Sequence, residues 1–190
     1  MDAETSVKVV VRGESACFPR PEFRRDQISY DVLTPASARG ILDRIHWRPA
    51  IRWVVTSIAV LKPIAFAEKE NAATGGRAVV LRDVAYVIEA RFDMTSRAGP
   101  LDEAARHRGM FKRRLRAGVT VYLGSDRHPA EAILFDEAGE GGTPIPSTRD
   151  LGWMVYGADY EDRGRLRFFR AELIDGVVSV PLPGSSQLYG

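Results

Sequence analysis

Apolar residues recur at helical spacing in one early stretch of the chain. Ala38, Ile41, Leu42 and Ile45 share one face of a 3.6-residue helix, while Arg39, Asp43 and Arg44 fall off it. Thr34 suits the N-cap, because its hydroxyl can accept from a first-turn N–H, and Pro35 suits the first helical position, where its missing N–H costs nothing. Pro49 stops the pattern and biases Arg48 toward extended backbone. His46 therefore stands at the helix exit, beside Trp47 and Arg48. A second helix is predicted over 100–117, with Leu101, Ala104, Phe111 and Leu115 inward and Gly118 as the C-terminal cap. Its predicted outer face carries Arg106, His107, Arg108, Lys112, Arg113, Arg114 and Arg116, with no acid among them.

The remaining patterns are strand-like. Residues 7–11 form a short β-type run. A strand from 51 to 61 follows the first helix, and a polar connection over 67–77 ends in Gly75-Gly76. Over 78–94, Leu81, Val84, Tyr86, Ile88, Ala90 and Phe92 mostly alternate with polar positions, as in a half-buried strand. Further strands are predicted over 119–123, 131–135, 151–156 and 166–173. Asp175-Gly176 signals a hairpin into 177–180, 138–148 reads as a loop, and the tail beyond Pro181 reads as loosely held. The order strand, helix, strand, strand, helix, strand is that of an α+β ferredoxin-like split β-α-β domain. The expected division is 1–125 for that domain and 126–190 for a C-terminal extension with its own small antiparallel sheet.

Composition narrows the picture. The 190 residues suffice for one domain with an appendage, and 45% hydrophobic with 27% charged residues is ordinary for a folded soluble chain. The net charge of +2 does not by itself announce a nucleic-acid partner. Arg far outnumbers Lys, however, and a guanidinium is the better fork for phosphate and the better plate for stacking on bases. A Pro-containing loop over 18–26 interleaves Arg20, Arg24 and Arg25 with Phe18 and Phe23, which suits unpaired RNA or a solvated loop. The lone Cys17 excludes an internal disulfide and suits a reducing cytoplasm, and no apolar run suggests export or a membrane span.

The candidate chemistry is sparse. No phosphate-binding glycine signature is present, and His46, His107 and His128 lie far apart in sequence, so no metal or other cofactor is expected. RNA offers a route without metal, in which its own 2′-hydroxyl attacks the adjacent phosphate. Histidine suits the proton transfers, with an ordinary pKa of about 6.5, and arginine suits charge on the phosphorane. His46, Arg106 and His107 are the candidate catalytic residues. Both helices of a split β-α-β fold lie on one face of the sheet, which makes their approach feasible.

One stretch, Ser29-Tyr30-Asp31-Val32-x-Thr34-Pro35-x-x-Ala38-Arg39-Gly40-Ile41-Leu42 followed by Ile45-x-Trp47-x-Pro49-Ala50-Ile51-Arg52-Trp53, resembles the type I-C (Dvulg) branch of the Cas-five family, in the RAMP superfamily of CRISPR proteins. The likeness continues in order through Leu81-Arg82-Asp83-Val84-x-Tyr86, His107-x-x-Met110-Phe111-x-Arg113-Arg114, Tyr122-Leu123-Gly124, Asp150-Leu151-Gly152-Trp153-Met154 and Phe168-Phe169-Arg170-Ala171. The resemblance implies a RAMP domain with a β-rich extension. It implies a metal-independent endoribonuclease that cuts precursor CRISPR RNA within its repeats. Such a protein stays on the 5′ handle beside the backbone and large subunits of the type I-C interference (Cascade) complex, and reaches target DNA only indirectly. Members that process RNA carry a Tyr where His46 stands and a Lys-His pair where Arg106-His107 stands, and they commonly carry a longer basic insertion at 67–77. By this resemblance His107 is the main proton-transfer group, His46 its partner, and Arg106 the phosphorane cation. Arg24, Arg25, Arg39, Lys112 and Arg113 would hold the RNA backbone. The alternative is a non-catalytic scaffold that grips the same handle.

Overall fold

The computed structural model describes residues 4–23, 26–71, 75–136, 141–159 and 162–190. Helix α1 (Pro35–Ile45) forms where its apolar stripe places it, and Thr34 Oγ1 accepts the Ser37 N–H at 3.3 Å. Ala38, Ile41, Leu42 and Ile45 are all buried. Each large aliphatic side chain so buried contributes roughly 1.5–3 kcal/mol, against about 1 kcal/mol for the cap, so the stripe dominates.

Helix α2 (Ala104–Arg116) starts later than the sequence suggests. Asp102 is the reason. Its Oδ2 accepts the Gly99 N–H at 2.8 Å and its own N–H bonds to Gly99 O at 3.0 Å, which holds 99–102 as a turn. Leu101, expected inside, is 76% exposed on that turn. His107, expected on the outer basic face, is buried, because 104, 107, 111 and 115 form the inward stripe.

The strands are β1 (Ser6–Ala16), β2 (Gln27–Ile28), β3 (Ile51–Val60), β4 (Phe66–Asn71), β5 (Gly76–Met94), β6 (Val121–Tyr122), β7 (Pro129–Leu134), β8 (Arg149–Asp159), β9 (Arg165–Ile174) and β10 (Val177–Ser179). They give a mixed α/β architecture whose sheet is mostly antiparallel. It runs β6-β7-β1-β5-β3-β10-β9-β8, with β2 and β4 also paired to β5. Leu81, Val84, Tyr86, Ile88, Ala90 and Phe92 of β5 are all buried, as their alternation predicts. α1 packs against β3 and β8, and α2 against β7, over one main core.

Three regions differ from expectation. The C-terminal strands do not build a separate sheet: β10 pairs with β3 from Val177↔Ala59 to Ser179↔Ser57, so they extend the first one. The polar connection after β3 contains β4, antiparallel to the start of β5 from Phe66↔Leu81 to Asn71↔Gly76. Its charged FAEKEN sequence hides the strand, because an edge strand can be polar without losing its ladder bonds. The tail also folds back. Tyr189 exchanges backbone bonds of 2.9 and 2.7 Å with Phe168. The Asp175-Gly176 hairpin forms as read, both residues lying at positive φ (47° and 77°) as a tight turn of that type requires.

Candidate active site

His46 is the C-cap of α1. Its N–H bonds to Leu42 O at 2.9 Å, and its carbonyl accepts the Trp53 indole N–H at 2.9 Å. Arg114 of α2 donates to the neighbouring Ile45 carbonyl at 3.0 Å, so the end of α1 is tied to both β3 and α2. The His46 ring turns inward. Its Nε2 lies 3.0 Å from Nδ1 of His107, the two rings 5.3 Å apart between centroids. Phe92 packs edge-on to His107, and Trp53 packs on both Phe92 and Phe111.

The pair is dry. His46 is 0% exposed and His107 3%. Burial pushes the His46 pKa down to about 4, and Arg114, His107 and Arg48 push the same way. His46 is therefore neutral near pH 7, and among the described residues its Nδ1 has no hydrogen-bond partner. Orphaned buried nitrogens are costly, by about 1–3 kcal/mol, and persist where something else selects them. On the other side of His107, Nε2 donates to Asp102 Oδ1 at 3.1 Å. The Gly99 N–H is the largest influence holding the Asp102 carboxyl below the usual range, with His107 and Arg106 adding to it. The result is a chain of hydrogen bonds from a sealed imidazole, through a second imidazole, to a carboxylate at the surface.

The sequence candidates divide. His46 and His107, 61 residues apart, come into direct contact. A fully buried His46 cannot itself touch a phosphate, so any part it takes is through His107. Arg106 adjoins the same turn, exposed, its Nη1 donating to Leu101 O at 3.3 Å. Arg113 is exposed on α2 and Lys112 half-buried, where desolvation, with Arg108 and Arg116, disfavours its charged form. Arg24 and Arg25 lie outside the described residues. Arg39 stands apart from the pair, in a cleft of about 530 Å³ between α1, β3, β8 and the tail, with Arg52, Tyr156 and Arg167. Among the described residues Arg39 and Arg52 meet carboxylates no closer than 3.9 Å, whereas Arg167 bonds Asp159 at 3.1 and 3.3 Å. Burial raises the Tyr156 pKa, and Arg39 and Arg52 oppose that rise, so both guanidinium groups lie near its phenol.

Asp102, Arg114 and Trp53 are not among the site residues the sequence proposes. Asp102 had a signal, since Gly99-x-x-Asp102 ahead of a helix is a turn motif, but its bond to His107 needs the fold. Among the described residues, no group of three or more His, Cys, Asp or Glu is placed to hold a metal ion.

A curled, mostly antiparallel sheet backed by two helices, one of them basic, defines a mixed α/β protein with a buried imidazole pair. Two solved structures share its fold. One, a CRISPR-associated protein, has a TM-score of 0.82 at 22% identity over 97% of this chain and 96% of its own. The other, a functionally uncharacterized protein from Streptococcus mutans, has a TM-score of 0.79 at 21% identity over 97% of both chains. The chain belongs to the Cas5 family of CRISPR-associated proteins, in its Cas5d (type I-C) branch, whose family model, CRISPR-associated protein (Cas_Cas5), matches residues 6–181. It is similar to the CRISPR pre-crRNA endoribonuclease Cas5d of Mannheimia succiniciproducens, at 38% identity over 92% of this chain and 94% of that one. It is also similar to the protein of the same name from Thermus thermophilus, at 34% identity over 96% and 94%. The first alignment spans 216 positions against 190 residues here, so that relative carries insertions this chain lacks.

Proposed function

We propose that this protein is a pre-crRNA endoribonuclease that cuts precursor CRISPR RNA within its repeats without metal. It then stays on the 5′ handle as a subunit of the type I-C interference complex in the cytoplasm, beside the backbone and large subunits. Both curated relatives are named for this activity, and the observation that carries the reading is the His46–His107 contact at 3.0 Å beside Arg106. The strand order β7-β1-β5-β3, with α1 between β1 and β3 and α2 between β5 and β7, supports reading this core as ferredoxin-like. We keep the two-part division at 125/126 as organisation, with β7 completing the first part's sheet.

In the reaction, the RNA 2′-oxygen bonds to phosphorus, and the bond from phosphorus to the 5′-oxygen breaks. His107 takes the 2′-hydroxyl proton at Nε2 and returns it to the leaving 5′-oxygen, so no proton is left over. The products are a 2′,3′-cyclic phosphate and a 5′-hydroxyl end. His46 acts through His107: in the reactive tautomer its neutral ring accepts from Nδ1 and fixes the proton there. Arg106 is the cation that stabilises the phosphorane. Arg24, Arg25, Arg39, Lys112 and Arg113 hold the RNA backbone, with Arg39 doing so in the cleft shared with Arg52 and Tyr156.

The test is incubation of the purified protein with its own repeat RNA in EDTA. Cleavage to a 5′-hydroxyl product is expected, and intact RNA would sink the proposal. The burial of both imidazoles favours a second reading, a scaffold that grips the handle without cutting it. Tight repeat binding with no cut in the same assay would select it.

A further inference from the structure

Both ring nitrogens of His107 are engaged. Nδ1 faces the fully buried His46, and Nε2 faces Asp102 at 3.1 Å. The His107 side chain is 4% exposed and that of Asp102 36%, so of these three side chains only the carboxylate meets water appreciably. A nucleotide arriving from solvent meets Asp102 before it meets the imidazole.

The carboxylate is held by two donors. One oxygen takes the His107 Nε2–H, and the other takes the Gly99 main-chain N–H at 2.8 Å. Arg106 lies near enough to favour the charged form. A phosphate oxygen carries the same charge and accepts the same charge-assisted bonds.

The bond to Asp102 also fixes a proton. An ionised carboxylate only accepts, so Nε2 must carry hydrogen while Asp102 is bound. Taking a 2′-hydroxyl proton requires the opposite, a bare lone pair on Nε2. While Asp102 is bound, His107 is held in the tautomer that cannot begin the reaction.

We propose that Asp102 is a substrate-mimicking cap, occupying with its carboxylate the position of a scissile-phosphate oxygen between Gly99 N–H and His107, and that repeat RNA must displace it. The inference rests on the ribonuclease reading and adds to it a phosphate ligand, the Gly99 amide, and a residue that opposes binding. Displacement itself makes and breaks hydrogen bonds, and the tautomer change it permits exchanges protons with water: one leaves His107 Nε2, the His46 Nε2 proton passes to His107 Nδ1, and one is taken up at His46 Nδ1. With the carboxylate gone, His107 can hold its proton on Nδ1 toward His46 Nε2, and His46 then holds its own on Nδ1. Each ring keeps one proton.

The test compares wild-type protein with Asp102→Ala and Asp102→Asn, using repeat RNA carrying a 2′-deoxy nucleotide at the cut so that nothing reacts. Asp102→Ala is expected to bind several-fold tighter, and on cleavable RNA to lower KM without lowering kcat. Asp102→Asn, which keeps the shape and loses the charge, is expected between the two. Slower cleavage with unchanged binding would show Asp102 to be an orienting residue and overturn the proposal, as would no change at all. Amide hydrogen exchange at Gly99 supplies a readout independent of cleavage. In Asp102→Ala its protection should fall without RNA and return with the 2′-deoxy RNA, and failure to return overturns the phosphate site. A wild type that cuts nothing would sink the ribonuclease reading alone, since affinity and Gly99 protection would still report on the cap.

Discussion

The two ends of α1 face opposite surroundings. At its C-terminal end His46 is 0% exposed, its partner His107 packed edge-on by Phe92, on which Trp53 packs in turn. At its N-terminal end, about 15 Å away at 1.5 Å per residue, Pro35 and Arg39 line an open cleft with Arg52 and Tyr156. The difference follows from what each side chain can give up. Imidazole can be buried because it can be neutral, and burial then keeps it neutral. Guanidinium stays charged, so it remains near water unless an anion arrives. On the proposed reading, one end moves protons and the other meets phosphate.

The sharpest way to break this contrast is to remove His107. Replacing His107 with Ala should lower single-turnover cleavage by about 10²–10⁴-fold, the usual worth of a positioned proton-transfer group. Repeat RNA binding, measured separately by anisotropy, should change little by comparison. His107→Gln, closer in size, controls for the cavity and should be nearly as slow. Cleavage that survives both would move the proton chemistry out of the dry box, and the comparison would reverse.

How far the sequence foretells these two ends is instructive. Helix α1 was legible to the residue, because cap, proline and stripe are local signals and agree. The burial of β5 was equally legible from alternation. His107 was misplaced because basic neighbours at 106, 108 and 112–114 drew it onto their face. The inward spacing 104, 107, 111 and 115 was present, but a histidine among phenylalanine and leucine does not look apolar. β4 was missed because an edge strand needs ladder bonds more than hydrophobic side chains. The joining of β10 to β3 could not be read at all, since strand pairing over more than 100 residues leaves no local mark. The family likeness brought residues 46, 106 and 107 forward together. Only the fold shows that Asp102 joins them and that His46 is sealed.

A second effect concerns acid. The folded state holds the His46 pKa at about 4, below its ordinary 6.5, so the unfolded chain binds the proton more readily between those values. His46 therefore contributes its full stability above pH 6.5, and that contribution is lost as pH falls toward about 4. The loss is roughly 3 kcal/mol across the window, at 1.36 kcal/mol per unit. His128, and the carboxyls of Asp102 and Asp150, are also held low and slope the same way, so a single titration would mix them. His46→Phe isolates the one residue. It should cost about 1–3 kcal/mol near pH 7, because His107 Nδ1 loses its partner. Its urea midpoint should then fall less between pH 6.5 and about 4.5 than that of the wild type. Parallel slopes would mean that the buried ring is not neutral.

The smallest expected effect tests the open end. Arg52 meets Asp93 only at 3.9 Å, whereas Arg167, in the same cleft, is held to Asp159 by two bonds of 3.1 and 3.3 Å. A guanidinium already matched by a carboxylate has little charge left for phosphate, and a loosely paired one has most of it. Arg52→Ala should therefore weaken repeat RNA binding a few-fold and make the dependence on log salt shallower by about 0.7, the value of one single-stranded phosphate contact. Arg167→Ala should shift that slope by clearly less, although it removes the same formal charge. Equal shifts would mean that RNA senses the total charge rather than the cleft. If neither variant moves the slope, RNA does not enter between α1 and β8, and Arg39 loses its assignment together with them.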